Sequence, residues 1–244
     1  MIKFFRKIRQ NMIKENRVSK YMLYAIGEII LVVIGILIAL QINTWNENRK
    51  ATNELHNIKK NLTKEFEANR NELAMVLDNV NYTKTGGLEL LSIIGMSNEH
   101  ISEVELNNMI EKTLFFPTWK PNNFILNELK NTGKLALIKN DSLIKLLFNW
   151  EKHIEIIDEW NRRVEKSSQD IVDYIKAHGS IRNINYQRIS TETSKLKISN
   201  LTLLADAKFE NQIDEKVLYS QFMENQFKEA NVIIANILEL VNTQ

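Results

Sequence analysis

Cysteine is absent from this chain of 244 residues. No disulfide can brace it, and no thiolate can serve as nucleophile or zinc ligand. Two prolines and seven glycines punctuate it. A sheet protein needs turn residues far more often, so this sparse punctuation speaks against strands. A basic footprint is missing as well. The formal charge is +2, but the first twenty residues hold seven bases against one acid. With those and Glu28 set aside, 25 bases face 28 acids, a balance of −3. That part is no nucleic-acid binder by charge.

Catalytic signatures are also scarce. The four histidines, His56, His100, His153 and His178, show no HExxH-type metal spacing. Glu151, His153, Glu155, Asp158 and Glu159 fall on one helix. His153 and Glu155 point about 160° apart at 100° per residue, so they cannot share a ligand set. The expectation is a solvated helix face. Gly86-Gly87 and Gly95 lack the lysine and spacing of a phosphate loop. No serine sits in a nucleophile elbow. Neither an enzyme nor a cofactor is expected, and no metal ligands are assigned.

What the sequence does contain is one long apolar run, residues 21–42, YMLYAIGEIILVVIGILIALQI. A helix needs roughly 20 apolar residues to cross a bilayer core. Aliphatic residues cover every face, which suits lipid. Tyr21, Tyr24 and Trp45 sit near its ends, where amphipathic rings favour the headgroup region. Lys3, Arg6, Lys7, Arg9, Lys14, Arg17 and Lys20 precede the run, against Glu15 alone. Glu47, Arg49 and Lys50 follow it. Positive flanks stay in the cytoplasm, so the N-terminus is expected inside and the rest outside. A cleaved signal peptide would have a shorter apolar core and a small-x-small site, which Ala39-Leu40-Gln41 lacks. The expectation is an uncleaved signal-anchor.

The first twenty residues form a cationic amphipathic pattern. Met1, Ile2, Phe5, Ile8 and Met12 share one helical face, and Lys3, Arg6, Lys7, Gln10, Lys14 and Arg17 the opposite one. Such a helix lies flat among anionic headgroups, which makes membrane lipid the expected partner.

Glu28 lies inside the apolar run. A charge there costs about 2–3 kcal/mol on insertion scales, so the residue is expected to face protein. Tyr21, Tyr24, Leu31, Val32, Gly35, Ala39 and Ile42 fall within about 60° of it. Gly35 and Ala39 make a small-xxx-small pair that lets two helices approach closely. Glu28, Gly35, Ala39, Tyr24, Leu31 and Val32 are therefore expected to mark a helix–helix seam, and a homo-oligomer is the expected assembly. The Glu28 carboxyl either bonds across that seam or handles protons or cations. The second role would require copies or a multi-span membrane partner.

FRKIRQ from Phe5, followed by SKYMLYAIGEIILVVIGILIALQINTWNENRK, resembles the N-terminal signature of a Bacteroidetes family of single-pass membrane proteins of unknown function. ELKNTGKLALIKN, residues 128–140, resembles the same family more loosely. The resemblance implies a Gram-negative inner membrane location and a mostly helical soluble part. It brings no catalytic residues.

Beyond the run, apolar residues recur at helical spacing, so the fold class is all-α. Leu55, Ile58, Leu62, Phe66, Leu73, Leu77 and Val80 predict a helix continuing to about residue 78. It would either lift the domain off the membrane and pair as a coiled coil, or pack on its own domain. Gly86-Gly87 should interrupt it, with a short helix resuming over residues 88–95 and a turn at 98–102. Ser102 and Glu105 have capping-box spacing for a helix to about Phe116. The segment from Phe115 to Pro121 should plug the core, since large aromatics are highly buried on average. A helix over 122–131 should end on a left-handed Gly133. Asp141-Ser142 should cap a long helix to about Ala177. Residues 180–199 read as a loop with a short helix, and 201–207 as another short helix. A last helix should run from Asp214 to about Val241, with Val217, Leu218, Phe222, Phe227, Val232, Ile233, Ile237, Leu240 and Val241 inward.

The resulting division is a cytoplasmic amphipathic helix (1–20), a transmembrane helix (21–43), a membrane-proximal helix (44–80) and an extracytoplasmic helical domain (81–244). The expected role is a membrane-anchored interaction or sensor-like module. The alternative is an ion-coupled, stator-like subunit using Glu28. The charge asymmetry makes a topology prediction: a reporter active only in the periplasm, fused after Gln244, should be active. Activity from a cytoplasmic reporter alone at that site would overturn the orientation.

Overall fold

The computed structural model describes residues 18–96, 101–185 and 191–243. Among these the chain is helical, with no strand. In order come α1 (Val18–Ile93), α2 (Glu103–Leu114), α3 (Phe124–Thr132), a 3-10 turn (Lys134–Leu137), α4 (Asp141–His178), α5 (Ile181–Asn185), a second 3-10 turn (Asn200–Ala205) and α6 (Ala207–Asn242). Two compact units divide the chain, Met1–Asn57 and Ile58–Gln244. Residues 58–80, expected to be membrane-proximal, therefore lie within the second unit.

In the first unit the described element is α1. It contains one stretch long and apolar enough to cross a membrane, and none of that stretch is buried.

In the second unit α1 turns one face inward. Ile58, Leu62, Phe66, Leu73, Val80 and Leu90 are buried there. The spacing of three, four or seven seen in the sequence is the spacing of this core stripe. Helices α4 and α6 pair extensively. Trp150 of α4 is fully buried, edge-on to Phe66 at 5.4 Å and to Trp119 at 6.1 Å. Trp119 meets Phe227 of α6 at 5.7 Å. Each such ring pair contributes about 0.5–1.5 kcal/mol beyond its buried area.

The expected break at Gly86-Gly87 does not occur: α1 runs through both glycines to Ile93. Their role is to give clearance. A Cβ on Gly86 would stand 2.5 Å from Lys112 Cβ, and one on Gly87 would stand 2.5 Å from Val217 Cγ2. Hydrogen there lets α2 and α6 approach α1 closely. The chain turns instead at Gly95, which takes a left-handed φ of +78°.

Helix ends follow side-chain chemistry. The Ser102 box forms as expected: Glu105 N donates to Ser102 Oγ at 3.2 Å, and Ser102 N donates to Glu105 Oε2 at 3.0 Å. Gly133 closes α3 at φ +71°. The cap of α4 lies one residue earlier than expected. Asn140 Oδ1 accepts from Ser142 N at 2.9 Å and Leu143 N at 3.1 Å, which leaves Asp141 in the first turn, facing the helix dipole. The start of α6 lies two turns before Asp214. Asp206 Oδ1 accepts from Lys208 N at 2.8 Å and Phe209 N at 2.9 Å and starts the helix at Ala207. The turn expected at 98–102 falls mostly outside the described residues.

The proline-bracketed segment is divided between core and surface. Trp119 is 3% exposed and plugs the core, but Phe115 and Phe116 are 39% and 47% exposed. Helix side chains hold the segment's backbone, since no ladder can. Thr83 Oγ1 donates to Phe115 O at 3.1 Å, and Asn161 Nδ2 donates to Trp119 O at 2.8 Å. Asn69 donates to Asn122 O and accepts from Asn122 N, both at 2.8 Å. Glu65 Oε2 accepts from Phe124 N at 2.8 Å and Ile125 N at 3.1 Å, and so supplies from α1 the cap that α3 lacks.

Two substitutions test this packing in the full chain, read by the urea midpoint of tryptophan fluorescence. Gly86→Ala must push Lys112 aside, backbone included. Overpacking costs about 1–3 kcal/mol, against about 1 kcal/mol gained in helix propensity, so a net loss is expected. Gly35→Ala gains the same propensity, and nothing lies within 4 Å of its Cβ position. It should leave the domain's midpoint unchanged. Asn69→Ala strands two backbone groups of Asn122, at about 1–3 kcal/mol for each buried group left unpaired. An unchanged midpoint would show that the clamp contributes nothing.

Candidate functional site

Helix α1 is unbroken through the apolar run. Tyr24, Glu28, Leu31, Val32, Gly35 and Ala39 therefore share one helical face, as their spacing requires. All six are exposed within this chain. Tyr24, Leu31 and Val32 are 57%, 74% and 54% exposed. A Cβ on Gly35 would meet nothing within 4 Å. The stripe thus combines a carboxyl, a tyrosine hydroxyl and a close-approach position, all uncovered by the described chain. The side chain of Tyr21 lies outside the described residues. So do the expected lipid contacts Lys3, Phe5, Arg6, Lys7, Ile8 and Lys14.

The second unit holds polar chemistry that the sequence reading missed. On α6 the inward face runs Ile213, Lys216, Ser220, Met223, Phe227, Ala230. The expected phase was partly wrong. Leu218, Phe222 and Val232 were expected inward but are 47%, 42% and 58% exposed. The true face carries lysine and serine where apolar residues are the usual signal, so the apolar pattern pointed elsewhere. The available clue was Ile213 and Phe227, which are in phase with Lys216 and Ser220.

Lys216 is fully buried against α4. Its Nζ donates to Ser168 Oγ at 2.5 Å and to Val164 O at 3.3 Å. Ser167 and Ser168 also donate to Val164 O, at 3.0 and 3.1 Å. Burial alone lowers the Lys216 ammonium from 10.5 to about 7, because low dielectric disfavours the charged form. A Ser–Lys pair can support nucleophilic catalysis where substrate reaches the serine. Here Ser168 is 3% exposed and Lys216 is 0% exposed, so the pair is hydrogen-bonded but does not face solvent.

His153 corrects another expectation. It is buried rather than on a solvated face, and its Nε2 donates to Gln226 O at 2.9 Å. It pins α4 to α6 one side of the tryptophan cluster, while Glu155 and Glu159 remain exposed. Among the described residues no group of three or more His, Asp or Glu is placed to hold a metal.

One polar cleft opens beside α2, with a volume of about 520 Å³. Glu103, Asn107, Asn183, Ser194, Lys197 and Ser199 are among its walls. Its acid is already engaged: Glu103 accepts from Ser199 Oγ and Asn200 N, both at 3.0 Å. Asn183 accepts from Ser194 N at 2.8 Å and donates to Ile198 O at 3.3 Å. These bonds hold the loop in place.

No family model, curated protein or solved structure matches this chain.

Proposed function

We propose that this chain is a membrane-anchored helical interaction module that assembles through its span. In this reading the N-terminus is cytoplasmic, the helical domain is extracytoplasmic, and the module is not an enzyme. The observation that carries it is the stripe of Glu28, Gly35 and Ala39 on one uncovered face of α1. Ionisable residues at such depth face protein rather than lipid, and the small residues permit a second backbone close by. The charge asymmetry around the span supports the orientation. The resemblance of residues 5–50 to the Bacteroidetes single-pass family supports an inner membrane location. Basic residues before the span support contact with anionic lipid.

Single cysteines at Val32 and Leu37 test the assembly. Val32 lies about 40° from Glu28 and Leu37 about 180° away, so only Val32 should crosslink efficiently. Gly35→Leu should abolish that crosslink, and Glu28→Gln should keep it, because an amide still bonds across the seam. Equal crosslinking at both sites, or at neither, would overturn a specific homo-oligomeric span. A multi-span protein co-purifying with the chain, and lost with Glu28→Gln, would favour the ion-coupled reading instead.

A further inference from the structure

Lys216 is the one fully buried cation in the described core, and no carboxylate bonds to it. Several charged groups on the elements around it bond elsewhere. Lys84 of α1 pairs with Glu224 of α6 and also reaches Gln221 at 3.2 Å. Lys112 of α2 pairs with Glu89 at 3.1 Å. On α4, Asp170 holds Lys166 at 2.5 Å, and His153 is committed to Gln226 O. On α6, Glu215 accepts from the Tyr219 hydroxyl at 3.1 Å, and Glu224 also holds Lys228. A proton arriving on Lys216 therefore meets no neutralising charge, in a position where an ammonium is costly to bury.

The hydrogen-bond set nevertheless accommodates both protonation states. As an ammonium, Nζ donates to Ser168 Oγ, and that hydroxyl donates to Val164 O. As a neutral amine, Nζ can accept the Ser168 proton through its lone pair and donate to Val164 O itself. A serine hydroxyl rotates freely enough to make the exchange. The cluster also sits between α4 and α6, which pair extensively.

We propose that Lys216 and Ser168 form a proton-operated latch between α4 and α6. With the amine neutral the interface closes fully; proton uptake favours an open form in which Lys216 reaches water. This goes beyond span assembly and holds whether or not copies associate.

The direction follows from linkage. Exposed to water, Lys216 titrates near its ordinary 10.5; closed in the interface, it titrates at about 7. Between those values the open form binds a proton that the closed form lacks. Closure therefore strengthens up to tenfold per pH unit as pH rises through that window. Below about 7 both forms carry the proton, and this dependence is flat.

The test uses the full chain in lipid nanodiscs. Urea unfolding constants of wild type and Lys216→Met are compared at pH 6, 7, 8 and 9, so that other titrations cancel in the ratio. The wild-type excess of unfolding over the variant should fall by about 50-fold from pH 7 to 9 and by only about twofold from 6 to 7. A ratio constant with pH would overturn the proposal. Should the variant fail to fold, ¹³Cε-lysine NMR of the wild type decides: one resonance should titrate near 7, and none titrating below about 9 would overturn it. Hydrogen exchange corrected for its intrinsic rate locates the opening. From pH 9 to pH 7, residues 213–224 should lose more protection than residues 58–80. A uniform change across the unit would overturn a local latch.

Discussion

The pairing of α4 with α6 is what the second unit rests on. Both helices exceed thirty residues, so a single interface must stay in register over many turns. It does so with few polar pins set into an apolar seam. His153 bonds the α6 backbone at Gln226, and Lys216 bonds the α4 backbone at Val164. Apolar contacts alone slide at little cost. A buried donor that loses its acceptor costs about 1–3 kcal/mol, so each pin marks one register against its neighbours. Trp119, carried on the proline segment, then fills the space beside Trp150 and Phe227.

That segment shows how a chain without sheets satisfies irregular backbone. Its peptide groups lie against the core, where unpaired amides are costly. Asn69, Thr83 and Asn161 substitute for a neighbouring strand, each from a helix. Glu65 does the same for the first amides of α3. Burial raises the Glu65 carboxyl above its ordinary range, against the pull of its two amide bonds, Ile125 and Phe124. The residues are polar because the backbone they serve is polar.

Much of the fold was legible because most of its signals are local. The Ser102 box, the Gly133 cap, the end of α4 near Gly179 and the apolar stripe from Ile58 to Val80 are each written within a few residues. What failed required knowing a distant neighbour. Gly86-Gly87 reads as a break until Lys112 and Val217 are seen pressing on it. His153 reads as solvent-facing, and Lys216 and Ser220 carry no signal, until α4 and α6 are paired. Asn69 and Asn161 carried no signal, since their partners are backbone atoms 53 and 42 residues away. Of the candidate site, the span stripe was legible from periodicity alone. The buried lysine was not, because its chemistry comes from what surrounds it.

The same logic distinguishes the glycines of α1. All four, Gly27, Gly35, Gly86 and Gly87, sit in helical backbone, where glycine costs roughly 1 kcal/mol relative to alanine. Such a cost persists most readily where a Cβ would obstruct something. At Gly86 and Gly87 the obstruction is visible, at 2.5 Å in each case. At Gly27 and Gly35, apart from the helix's own neighbouring backbone, no described residue lies within 4 Å. Gly35 shares its face with Ala39 and Glu28, which are the residues that close helix approach and hydrogen bonding in hydrocarbon require. In the assembly proposed above, the clearance that Gly86 and Gly87 give to α2 and α6 becomes, at Gly35, clearance for the helix of a second copy. This is why the span, and not the domain surface, carries the case for assembly.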